Sequence, residues 1–284
     1  MKKLTLEDIK NIVNLLKDPD KKIFEMLEPK ILSEGFEYLA YFKEELKNSS
    51  DLILKTRLEI IIEKLVLNGS LDEFRKITLL ENEDIDLEEA CFTLASFANP
   101  NLEKEVYLKS LDEMAENLKD KVKNMNDPIM LIKKINQYLF LAEGFKGNRE
   151  DYFNINNSYI PTVIETKTGI PITISAIYLF VTKRLNLPFY GVGMPGHFII
   201  KYMENDLELF IDPFHGGKIL SKTDCVNFLV FSGYGFNERF LEVTSNKEIF
   251  KRMIRNILLV YQQNNDTFRY EKFNDILNII DINY

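Results

Sequence analysis

Cysteine is nearly absent: Cys91 and Cys225 are the only two in 284 residues. They form no CxxC spacing and no histidine cluster accompanies them, so the sequence builds neither a disulfide framework nor a zinc site. Histidine is as scarce, with His197 and His215 alone. No stretch approaches the roughly 18 uncharged apolar residues that span a bilayer, so no membrane partner is expected. Positive charge is thin as well. The 36 Lys and Arg against 44 Asp and Glu leave a formal net charge of -8, and no dense basic block carries interleaved aromatics, which argues against nucleic acid as a partner. The opening "MKKLTLEDIK" starts with two lysines, but Glu7, Asp8 and Lys10 interrupt any apolar signal segment. A reducing, cytoplasmic location is the expectation.

With 45% hydrophobic and 28% charged residues, the chain has the composition of an ordinary globular protein. Its first part reads as helices. Leu6, Ile9, Ile12, Val13 and Leu16 recur at helical spacing behind a Thr5/Asp8 capping pair. "LKTRLEIIIEKLVLNGS" and "DLEEACFTLASFANP" follow, stopped by Asn68-Gly69 and Pro100. "NLEKEVYLKSLDEMAENLKDKVK" is a solvated amphipathic helix, and "DPIMLIKKINQYLFLAEGF" another, closed by Gly144. "KGNREDYFNINNSYIP" is a long Asn-, Gly- and Tyr-rich loop of the kind that carries function. Pro171 then opens a helix that is apolar almost all round, which places it at the centre of a domain. Short strands occupy Phe189 to Asp212, and two helices follow Ser245 with a span close to the roughly 34 residues of a tetratricopeptide unit. The expected class is α+β: a mostly helical N-terminal region (1–85), a core of one buried helix and a small antiparallel sheet (86–242), and a helical hairpin (243–284).

Within "GMPGHFIIKY", Pro195-Gly196 fits a type II turn, so His197 is expected to open a strand. With Glu204 and Asn205 as central turn residues, "LELFID" returns and sets His197 opposite Asp212, Ile199 opposite Phe210 and Lys201 opposite Glu208. One face then gathers Phe198, Ile200, Tyr202, Leu207, Leu209 and Ile211. Cross-strand neighbours lie roughly 5 Å apart at Cβ, near enough for the carboxylate to orient the imidazole. The pair is either the orienting half of a nucleophile-base-acid triad or a plain hydrogen bond that knits the sheet edge. His215 in "DPFHGG" lies just past the strand and could add a second nitrogen near Asp212, but it reads as a loop histidine, because His-Asp-His without a further strong ligand is a weak metal signature; no metal and no cofactor are expected.

A buried helix, a strand, a strand opening on His and a strand ending in Asp resemble, in that order, the transglutaminase-like branch of papain-type folds. "GNREDYFNINNSYIPTVIETKTGIPITISAIYLFVTKRLNLPFYGVGMPGHFIIKY" with "FIDPFHGG" is more closely similar to the SirB-type family, whose tetratricopeptide-like tail matches the C-terminal hairpin. The resemblance implies a catalytic-type pair at His197 and Asp212, with a nucleophile at the N-terminus of the central helix. A thiol suits that place, since the helix dipole and a neighbouring imidazolium stabilise thiolate. This sequence has Gly169-Ile170-Pro171 there, and proline carries no nucleophile. Substitutes by position are Thr168, Thr173 and Ser175, although hydroxyls at a helix start commonly satisfy its free N–H groups. The expected function is therefore a protein- or peptide-binding or regulatory module without thiol chemistry. The alternatives are a hydrolase or acyl-transferase with a substitute nucleophile and, behind it, a metal-dependent hydrolase on His197, Asp212 and His215.

Overall fold

A computed structural model describes residues 4–69, 71–78, 84–99 and 101–281. Cα packing divides the chain into two compact units, Met1–Arg75 and Lys76–Tyr284. The first holds α1 (Leu6–Leu15), α2 (Lys21–Glu34), α3 (Leu39–Asn48) and α4 (Leu52–Gly69), and the division falls within α5 (Leu71–Thr78). Thr5 and Asp8 cap α1 reciprocally, as their spacing predicts. Ile9, Ile12, Val13 and Leu16 are buried with Leu54, Leu58, Ile61 and Leu65 of α4, whereas Leu6 is exposed. The buried Arg57 of α4 donates to the carbonyls of Leu16, Asp18 and Asp20. It thus satisfies acceptors that the end of α1 and the next turn leave open.

In the second unit α6 (Leu87–Ala98), α7 (Lys104–Val122) and α8 (Pro128–Asn136) precede a two-strand parallel pair, β1 (Lys146–Gly147) with β2 (Thr168–Gly169). Between these strands lies α9 (Ile160–Thr166), a helix that starts at the end of the expected loop and is led, like many helices, by a proline in its first turn. The central α10 (Pro171–Arg184) is buried from Pro171 through Thr182 except at Leu179. Its Arg184 ties the C-terminus to Glu88 of α6 and Asp112 of α7 at 2.6 Å each, with the charge sign that the end of a helix favours. Against α10 packs a four-stranded antiparallel sheet, β3 (Phe189–Val192), β4 (Ile199–Glu204), β5 (Leu207–Asp212) and β6 (Lys218–Leu220), in that spatial order. α11 (Lys222–Phe231) follows, then the antiparallel α12 (Asn246–Gln263) and α13 (Thr267–Asp281), joined by Asn264 to Asp266. Among the described residues no helix is long and apolar enough to cross a membrane.

The β4–β5 register departs from the sequence expectation by one turn position. The central residues are Asn205 and Asp206, so Ile200 faces Ile211, Lys201 faces Phe210 and Met203 faces Glu208. Asn205 adopts φ 54°, a left-handed conformation that Asn tolerates better than Glu. Partners move by two residues, an even step, so every side chain keeps the face expected of it.

Tyr178 of α10 is fully buried between Phe140 and Phe189, and its hydroxyl has no hydrogen-bond partner among the described residues. Burying an unpaired hydroxyl costs about 1–3 kcal/mol. Tyr178→Phe is therefore expected to leave stability unchanged or to raise it by about 1 kcal/mol in urea denaturation; a loss of that size would show that the hydroxyl is bonded.

Candidate functional site

Local chain geometry brings the site together. Gly196 takes φ 72° and the His197 N–H donates to the Met194 carbonyl at 3.2 Å, which closes the expected turn. Regular pairing in β4 begins at Ile199, so His197 stands just before the strand rather than within it. Arg252 of α12 clamps the turn, donating to the carbonyls of Met194 at 2.8 Å and His197 at 2.9 Å. Burial pushes this guanidinium below its ordinary range, partly offset by the nearby Tyr152 and Tyr234.

Asp212 ends β5 and caps a short 3-10 turn, Pro213–His215, its Oδ1 accepting the His215 N–H at 3.2 Å. Its Oδ2 faces two rings: His197 Nε2 lies 2.9 Å away and His215 Nδ1 2.7 Å away. The expected pair of His197 and Asp212 is thus formed, across a diagonal rather than an opposed position. His215, a histidine just past the strand that could bring a second nitrogen near Asp212, does so: it is a second imidazole on the same carboxylate oxygen, because an Asp-Pro-x-His turn folds the fourth residue back onto the first. The three ligand atoms lie within 4.8 Å of one another, so these are the described residues able to hold a metal ion.

His197 and Asp212 are buried, whereas the His215 side chain is 42% exposed. Burial pushes the Asp212 carboxyl up, yet the hydrogen bonds and charges of His197 and His215 outweigh it and hold the group below its usual range. Since Nε2 of His197 serves the carboxylate, Nδ1 is its remaining nitrogen for chemistry. Rings surround it: Phe228 at 5.4 Å, His215 at 5.7 Å and Phe214 at 6.2 Å between centroids. Tyr152, Phe153, Phe228, Phe231, Tyr234 and Phe236 expose much of their rings.

A nucleophile is a different matter. Pro171 occupies the first turn of α10 and is buried. Thr173 Oγ1 donates to the Asn157 carbonyl at 2.8 Å and accepts the Ile170 N–H at 3.1 Å. Thr168 Oγ1 donates to the Thr166 carbonyl at 2.9 Å. Ser175 is sealed in the core, its Oγ without a hydrogen-bond partner among the described residues. Both cysteines are buried. Burial drives the Cys91 thiol far above its usual value, and burial with the charges of Asp224 and Asp212 lifts Cys225 to about 11. Neither is thiolate near neutrality. Among the described residues, none of these hydroxyls or thiols hydrogen-bonds His197.

The sequence around this site matches a known family. Residues 105–255 fit the family model described as transglutaminase-like superfamily, which takes in the buried helix, the sheet and both histidines. The chain belongs to the transglutaminase-like superfamily. A UPF0162 protein of Xylella fastidiosa strain 9a5c is 28% identical over 198 residues, covering 68% of this chain and 70% of that protein. Another from strain Temecula1 is 30% identical over 147 residues, 52% of each chain. F-box only protein 21 of Mus musculus is 31% identical over 157 residues, 52% of this chain but 25% of that protein. The chain thus spans about half or less of some of these relatives. No solved structure matches it. Sequence reasoning missed Arg252 altogether, since a basic residue in an amphipathic helix gives no sign that it will reach two carbonyls of a distant turn.

Proposed function

We propose that this transglutaminase-like domain is a non-catalytic protein-binding module of SirB type, which docks a peptide or a side-chain amide at the surface around His197 and Asp212. The observation that carries the reading is Pro171 at the start of α10, where the fold family's thiol chemistry needs a nucleophile. The histidine-carboxylate pair remains, and the partly exposed ring of Phe228, 5.4 Å from that of His197, supplies the apolar contact that peptide recognition uses. In F-box only protein 21 the matched region is a quarter of a larger chain, as suits a module that serves other parts of a protein. The α12–α13 hairpin, read as a tetratricopeptide-like unit, offers a second partner surface, and the working compartment is the cytoplasm.

The test pairs turnover with capture. The full chain is assayed with a glutamine peptide plus a primary amine and with fluorogenic amides, and in parallel a displayed peptide library is selected on it. Expected are no turnover above buffer and an enriched peptide motif whose binding falls at least about tenfold in Phe228→Ser. Turnover that disappears in His197→Ala would replace this reading with that of a hydrolase or acyl-transferase.

A further inference from the structure

We propose that His197, Asp212 and His215 form a site for one first-row divalent cation, with zinc the ion that best suits the donor set. The chain has two histidines in all, and both direct a ring nitrogen at one carboxylate oxygen. Two imidazoles and a carboxylate are the N/O ligands that bind zinc, iron and manganese through three protein atoms, leaving further positions open.

The spacing is close to what coordination needs. Ligand bonds of about 2.0–2.2 Å put neighbouring donors roughly 3.0 Å apart at right angles and about 3.4 Å apart in a tetrahedron. Here His197 Nε2 and His215 Nδ1 stand 2.9 and 2.7 Å from Asp212 Oδ2, and all three donors lie within 4.8 Å of one another, so widening each carboxylate–imidazole gap by about 0.5–0.7 Å, with the exposed His215 ring turning to set the nitrogen–nitrogen separation, brings all three around one ion. His215 can supply them. Its side chain is 42% exposed, and Gly216 and Gly217 follow it at φ 70° and 75°. His197 and Asp212 are buried and held, the first by the Met194 turn under Arg252 and the second by the His215 N–H. A cation would therefore enter from the His215 side and meet a half-site already in place.

Proton balance is simple. In the empty site each neutral ring donates its single N–H to Oδ2. When the ion binds, the proton of His197 moves to Nδ1 and that of His215 to Nε2, freeing the facing lone pairs; no net proton is lost from the neutral rings. Water or another oxygen donor would complete the shell.

Cation binding is read without any peptide, so its outcome is separate from that of the docking proposal. The full chain is prepared without a histidine tag, stripped with chelator and titrated with Zn²⁺ by calorimetry and against a chromophoric indicator; Co²⁺ is then added to read ligand-field bands. Expected are one equivalent of saturable binding, cobalt bands of nitrogen and oxygen ligation, and a zinc-dependent rise in melting temperature. His215→Gln alters an exposed side chain and is expected to fold, which circular dichroism checks; it should bind at least about tenfold more weakly and lose the zinc-dependent rise. Absence of saturable binding by the wild type would overturn the proposal, and so would equal binding by wild type and His215→Gln, which would mark an adventitious surface ion.

Discussion

Asp212→Ala is expected to destabilise the Lys76–Tyr284 unit by about 3–5 kcal/mol, because it strips a buried network of its one acceptor. His197 is 8% exposed and Asp212 6%, so the truncated site leaves a buried imidazole facing a void rather than water. The same substitution removes the cap on Pro213–His215, since Oδ1 accepts the His215 N–H. Asp212→Asn keeps an acceptor oxygen and is expected to cost less, about 1–3 kcal/mol. The pH dependence separates charge from shape. The folded carboxyl titrates below its usual range, held there by both imidazoles against the upward push of burial. A depressed folded value stabilises the fold above the unfolded value of about 3.9 and loses that contribution as pH falls through the folded one. The gap between wild type and Asp212→Asn should thus narrow as pH falls through about 4 and close below it. Urea denaturation across that range, with hydrogen exchange of the β4–β5 amides to assign the unit, measures it. A gap that persists undiminished at low pH would mean that Asp212 acts through shape alone.

Why this pair was legible while Arg252 was not follows from the range of each signal. Pattern and parity carried His197 and Asp212. The apolar alternation of Phe198, Ile200 and Tyr202 against Leu207, Leu209 and Ile211 fixes which residues share a face, and a register error of two residues leaves that assignment intact. "MEND" permits either Glu204-Asn205 or Asn205-Asp206 at the bend, and the choice turns on Asn205 entering φ 54°, which periodicity does not encode. α10 was legible because an all-apolar helix has one place to go, the centre of the core. The helix α9 was hidden by the Asn- and Tyr-rich composition around it, and β6 and α11 give weak periodic signals of their own. His215 was available in principle, since Asp-Pro-x-His is a local turn. Arg252 was not, for its partners Met194 and His197 lie more than fifty residues away in the chain and are backbone carbonyls, which every residue possesses.

Gly217→Ala is expected to cost about 2–4 kcal/mol, whereas Gly216→Ala next to it should cost about 1–2 kcal/mol. Both glycines lie in the left-handed region, at φ 75° and 70°, so each alanine bears a similar backbone strain. Their surroundings differ. A Cβ on Gly216 meets nothing within 4 Å, while one on Gly217 would fall 2.3 to 2.5 Å from the carboxamide of Asn136. That carboxamide donates to the Gly217 carbonyl at 2.6 Å, and the Gly217 N–H donates to the Asp212 carbonyl at 2.9 Å. Relieving the clash breaks the tie between the end of α8 and the turn and leaves a carbonyl unpaired, a loss of about 1–3 kcal/mol beyond the strain. The turn also carries His215, so Gly217→Ala should loosen the second imidazole from Asp212 in a way that Gly216→Ala does not. Comparing the two variants by urea denaturation, and by histidine-ring NMR shifts for His215, isolates the crowding from the conformation. Equal costs for the two would locate the requirement for glycine in φ alone and remove Asn136 from the support of the site.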